Sequence, residues 1–84
     1  MNELEILKKK LLYRSNYRGT KEMDILLSNF VKTYIDNFEY NQLSELDKFL
    51  DFEDDIILEF YHHSTIKKNI DKNGISKLFK NFSI

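Results

Sequence analysis

Residues 20–38 read Thr20-Lys-Glu-Met23-Asp-Ile-Leu26-Leu27-Ser-Asn-Phe30-Val31-Lys-Thr-Tyr34-Ile35-Asp-Asn-Phe38, and this stretch decides the fold. Met23, Leu26, Leu27, Phe30, Val31, Tyr34, Ile35 and Phe38 recur at spacings of three and four, the signature of one apolar stripe along an amphipathic helix. Thr20 or Gly19 can cap its start, and Glu22 and Asp24 in the first turn suit the positive end of a helix dipole. Alternating strand periodicity is absent from it.

The same reading extends outward in both directions. Upstream, Leu4, Leu7 and Leu11 fall at i, i+3 and i+7, with Leu12 widening the stripe, and the spacing predicts a helix over 3–13. Residues 14–19, Arg-Ser-Asn-Tyr-Arg-Gly, break that pattern and read as a connection. Downstream, Leu43, Leu46, Phe49 and Leu50 define a helix over 41–50. Asp54 can cap a short helix that offers Ile56, Ile57, Phe60 and Tyr61 to the core. Residues 62–72 stay open between a helical extension and a loop anchored by Ile66 and Ile70. Asn73-Gly74 signals a turn, and Ile75, Leu78, Phe79 and Phe82 belong to a last short helix. With no proline and two glycines in 84 residues, breakers are scarce. The expected fold is all-α: one domain over 1–84, a compact bundle of about five short helices.

Composition narrows the function classes. The net charge is −1, spread unevenly: +4 over residues 1–21, −1 over 22–35, −8 over 36–59 and +4 over 60–84. Basic ends beside an acidic middle suit a chain that folds on itself, and a nucleic-acid binder would show a net basic domain with one coherent patch. Lys8, Lys9 and Lys10 read as a solvated face. There is no cysteine, so disulfides and thiolate metal sites are excluded. His62 and His63 are sequence neighbours, which do not share a helix face and chelate poorly. No apolar run reaches the roughly 18–20 residues of a membrane span. Acids among the first apolar residues argue against a secretory signal or transit peptide. A bacterial-type cytoplasmic protein, or a processed organellar one, is the natural expectation.

Catalytic equipment is missing from the sequence. There is no GxSxG nucleophile turn, no phosphate-binding glycine loop and no acid–histidine set at metal-ligand spacing. Glu53-Asp54-Asp55 reads as capping acids at a helix start. A core this thin also leaves little room for a substrate cavity of ~300 Å³ or more.

The most informative stretch is 14–24. Gly19 immediately precedes the best helix. Arg18 and Glu22 are four apart and can meet if the helical turn starts early. By spacing alone, the leading reading is an ordinary helix start, with Gly for the turn and Glu for the dipole.

Tyr17-Arg18-Gly19-Thr20-Lys21-Glu22-Met23-Asp24, followed by Leu26, Leu27 and Phe30, resembles the RGxxE signature of the SdhE family, the succinate dehydrogenase assembly factor 2 or flavinylation factors. Phe49-Leu50-Asp51 resembles that family's L-L-D/E step. Asp54 with Ile57, Leu58 and Phe60 resembles its D-x-x-L-x-x-W segment, with Phe60 in place of Trp and Ile56 where a polar residue is common. Phe79 and Phe82 fall at a final I-x-x-F step, and the 62–72 linker lacks the usual Gly and Pro.

The resemblance implies a chaperone-like factor and not an enzyme. Its partner would be the flavoprotein subunit of succinate dehydrogenase, and in some bacteria of fumarate reductase. That subunit itself forms the bond between a histidine and the flavin 8α-methyl group, so FAD is carried by the partner and not held permanently by this chain. The factor is expected to be monomeric when free, to bind neither nucleic acid nor membrane, and to dock through Arg14, Tyr17, Arg18, Gly19, Glu22 and Asp24. Gly19 would admit close approach of a partner's backbone, Arg18 and Glu22 would offer charge-assisted hydrogen bonds, Tyr17 would be an aromatic anchor and Asp24 a local brace. The rival reading is a small helical adaptor or antitoxin-like protein with another protein partner.

Overall fold

A computed structural model describes residues 2–84. Five helices follow in order: α1 (Glu3–Arg14), α2 (Lys21–Tyr34), α3 (Tyr40–Phe49), α4 (Asp54–His63) and α5 (Ser76–Lys80). Single 3₁₀ turns occupy Ile35–Asn37 and Ile70–Lys72, and no strand occurs among the described residues. The all-α bundle expected from the periodicity is the fold that forms.

Local chemistry sets each helix start. Asn2 accepts the Glu5 N–H at 2.8 Å to cap α1, and Thr20 Oγ1 accepts the Met23 N–H at 3.2 Å to cap α2. At α3 the Gln42 side chain reaches back to the Glu39 N–H, at 2.9 Å. The cap position of α4 is Glu53, one residue before the expected Asp54, whose carboxylate faces elsewhere. Arg14, Lys32, Lys48 and the His62–His63 pair sit in the last turns of α1 to α4, where the dipole favours cations.

The apolar stripe of α2 is the axis of the core. Met23, Leu26, Leu27, Phe30, Val31, Ile35 and Phe38 are buried, and Tyr34 is half-buried against them. Leu43, Leu46, Phe49 and Leu50 close from α3, Ile56, Ile57 and Phe60 from α4, and Ile75 and Phe79 from the C-terminal segment. Phe79 is the hub of an aromatic cluster: its ring centroid lies 5.1 Å from Phe30, 5.2 Å from Phe49 and 5.2 Å from Tyr61.

Two regions depart from the sequence pattern. In α1 only Leu11 is fully buried and Leu7 and Leu12 pack partly against the core, while Leu4 at 38% exposure lies outside it, because the bundle leaves the first turn of this helix uncovered. Residues 64–72 do not extend α4. Ser64 ends it in the left-handed region at φ 58°, and Lys68 and Asn69 are also left-handed. Ile70 is buried in its 3₁₀ turn and Ile66 is exposed, so this segment is a loop pinned at one point. Ser76 Oγ donates to the Ile70 carbonyl at 2.5 Å, and Asn73 Nδ2 donates to the Glu45 carbonyl at 2.9 Å, which fastens the loop to α3.

Candidate functional site

Residues 15–20 turn the chain from α1 into α2 and lie against the α3–α4 connection. Ser15, fully buried, hydrogen-bonds back to the Leu12 carbonyl at 2.7 Å and closes α1. Tyr17 then takes φ 57°, a left-handed conformation that a bulky side chain adopts at a cost of about 1–2 kcal/mol. That kink directs the Arg18 N–H onto the Asp24 carboxylate, so Asp24 braces the turn from within α2. Gly19 is not left-handed. What the position uses is the missing side chain, not glycine's conformational freedom.

Two arginines fix this turn from below. Arg18 Nε donates to Asp54 Oδ1 at 2.8 Å, Nη1 to the Leu50 carbonyl at 3.1 Å and Nη2 to the Phe52 carbonyl at 3.1 Å. Its side chain is 14% exposed and that of Asp54 is 22% exposed. The planar fork expected to face a partner is therefore filled by this chain's own acceptors, an arrangement that a lysine's point charge could not satisfy. Asp54 Oδ2 also accepts the Gly19 N–H, at 2.7 Å. A Cβ on Gly19 would stand 3.1 Å from that oxygen, so the close approach at this position is made by Asp54 itself, and a side chain here requires that carboxylate to give by a few tenths of an ångström. Arg14 makes the second clamp. It binds the Asp47 carbonyl at 3.0 Å together with the Asp47 and Asp51 carboxylates.

The residues expected at a docking surface thus separate into two sets. Arg14, Arg18 and Asp24 hold the turn. Tyr17, Gly19 and Glu22 are exposed along its outer edge, Tyr17 at 83%. The Tyr17 ring packs 5.9 Å from that of Tyr13, also exposed, giving a solvent-facing aromatic pair. Glu22 does not meet Arg18, because α2 begins only at Lys21; its carboxylate instead accepts a hydrogen bond from His62 Nε2 on α4 at 3.0 Å.

Sequence spacing missed Asp47, Asp51, Asp54 and His62, all more than 30 residues from their partners in this cluster. Helical spacing carries no information about contacts that distant. The acid-rich middle of the chain, opposed by arginines at 14 and 18, was the one available signal.

Beside Glu22 the surface sinks into a groove of about 320 Å³ lined by Glu22, Ile25, Leu26, Tyr61 and Ile84. A cavity of the size thought too large for this core is thus present, but as an open surface trough. Among the described residues, no group of three or more metal-ligating side chains comes together. No helix is long and apolar enough to cross a membrane.

Residues 9–83, which include both clamps and the whole exposed edge, match the family described as flavinator of succinate dehydrogenase. The mitochondrial succinate dehydrogenase assembly factor 2 of Debaryomyces hansenii is 36% identical over 81 residues, 96% of this chain and 54% of that protein. Its namesake from Scheffersomyces stipitis is 36% identical over 81 residues, 96% of this chain and 51% of that protein. The Penicillium rubens protein of the same name reaches 46% identity over 52 residues, 62% of this chain and 17% of that protein. The chain spans about half the length of the first two of these relatives. No solved structure matches it. A helical bundle that carries the RGxxE turn, matched along nearly all of its length, places the chain in the family of flavinators of succinate dehydrogenase.

Proposed function

We propose that this chain is a non-catalytic assembly factor that binds the flavoprotein subunit of succinate dehydrogenase and promotes covalent attachment of FAD to it. The observation that carries the reading is the exposed outer edge Tyr17–Gly19–Glu22, on a turn held from beneath by Arg14, Arg18 and Asp24 within the span matched by the family. A preorganised edge loses little conformational entropy when a partner covers it.

In this reading Tyr17 is the aromatic anchor and Glu22 offers acceptor oxygens to a cation or N–H of the partner. Arg14, Arg18 and Asp24 set the shape of the edge and act on the partner through it. FAD stays with the flavoprotein, whose own histidine forms the bond. The factor works as a monomer in the compartment where that subunit folds: the bacterial cytoplasm, or the matrix for an organellar chain.

The test is co-expression with the flavoprotein subunit, scoring co-purification and flavin fluorescence of the denatured subunit together. Glu22→Ala and Gly19→Arg should each leave the helical spectrum in place and lower both signals. Unchanged covalent flavin with either variant as the sole factor overturns this surface. A pull-down whose main catch is another protein would favour the adaptor reading instead.

A further inference from the structure

Ile25 is the one aliphatic residue of α2 that lies off the core stripe. It is 45% exposed, one helical turn beyond Glu22 and on the same side. It lines the 320 Å³ groove together with Leu26, Tyr61 and Ile84. The Tyr61 hydroxyl donates to the Phe82 carbonyl at 2.5 Å, so Tyr61 offers the groove its ring and not a polar group. The lining is therefore apolar apart from Glu22 at the rim. Glu22 is held there by His62, and among the described residues no other group hydrogen-bonds its carboxylate.

We infer that this groove is a second arm of the docking surface and takes an aliphatic side chain of the partner, while a lysine or arginine next to it in the partner displaces His62 from Glu22. The inference rests on the docking reading above and deepens it. Three observations select this occupant. The groove is continuous with the docking edge, because Glu22 belongs to both. Its single charge is negative and its walls are apolar, which calls for a cation beside an aliphatic group. It is open to solvent, which suits side chains carried on a segment more than an enclosed small molecule. A second copy of this chain is disfavoured, since a twofold contact through the groove would bring two Glu22 carboxylates to one interface. The imidazole is displaceable, because an exposed pair of this kind is worth only ~0–1 kcal/mol.

The experiment uses the full chain and the apo flavoprotein subunit of the same organism. Ile25→Asp should weaken binding by tenfold or more without moving the melting temperature. Ile25→Val should bind like the parent. A photo-crosslinking benzoylphenylalanine at position 25 should capture a flavoprotein peptide in which an aliphatic residue adjoins Lys or Arg. The same group at Tyr40, exposed at the start of α3 and outside the groove, should capture none. Binding of Ile25→Asp within twofold of the parent, while Glu22→Ala still fails, overturns the groove and leaves the docking edge standing. If both variants bind normally, the edge and the groove fall together. A crosslink from position 25 to a second copy of this chain also overturns the inference.

Discussion

Replacing Asp54 by alanine removes the acceptor of two hydrogen bonds and the partner of an ion pair at once. Asp54 Oδ1 takes Arg18 Nε at 2.8 Å and lies 2.8 Å from Nη2, and Oδ2 takes the Gly19 N–H at 2.7 Å. Hydrogen bonds to a charged group are worth about 1.5–3 kcal/mol each, which would sum to far more than one side chain delivers. Two facts reduce the figure. Arg18 keeps the Leu50 and Phe52 carbonyls, and water can reach a site that is 14–22% exposed. Breaking a fully buried ion pair costs about 3–5 kcal/mol, so about 2–4 kcal/mol is expected here. For a domain of this size, each 1 kcal/mol moves the melting temperature by about 4–8 °C, so Asp54→Ala should lower it by roughly 10–25 °C.

Urea titration followed by circular dichroism measures the loss. A double-mutant cycle with Arg18→Ala isolates the pair, and the coupling should be on the order of 1–3 kcal/mol. A loss below about 0.5 kcal/mol, within the range of ordinary surface substitutions, would refute the clamp as the element that holds the turn. A large loss with no coupling to Arg18 would refute it as well, and would assign the effect to the Gly19 contact.

Gly19→Ala should destabilise the fold by about 1 kcal/mol, because its Cβ would stand 3.1 Å from an Asp54 oxygen that Arg18 keeps in place. In an Asp54→Ala background the same change should turn stabilising by about 0.4–1 kcal/mol, since only the reduced entropy of the unfolded chain remains; thermal melts of the two pairs check the sign reversal. Phe79→Ala empties the hub of the aromatic cluster and should cost about 3–5 kcal/mol, read as loss of the cooperative urea transition.

The helices were legible because their information is local. The stripe from Met23 to Phe38 recurs at helical spacing, and all of it but Tyr34 is buried. Where the outcome depends on what lies opposite, the pattern misleads. Leu4 obeys the same spacing as Leu11 and is left outside because no element covers it. The loop after α4 was ambiguous because its left-handed positions are Ser64, Lys68 and Asn69, where glycine would have announced them. Within the candidate site, the structure turns some side chains in another direction than their spacing suggests. Arg18 and Gly19 lie beside Glu22 in sequence and suggest one outward-facing group, whereas Asp54, 36 residues from Arg18, turns the guanidinium inward. Neutral spacing rules have no means of choosing between a partner's carboxylate and the chain's own.

The two arginine clamps divide the inheritance of this surface between separate parts of the gene. Codons 47, 51 and 54 dictate the shape of a turn spelled by codons 14–19. If the chain acts as proposed, a screen for colonies deficient in covalent flavin should therefore yield two classes of allele. Lesions at the exposed edge would be unconditional, and lesions among the clamp aspartates would be heat-sensitive and rescued by growth in the cold. Second-site revertants of the latter would arise wherever the bundle gains stability, while only changes in the partner could repair the former.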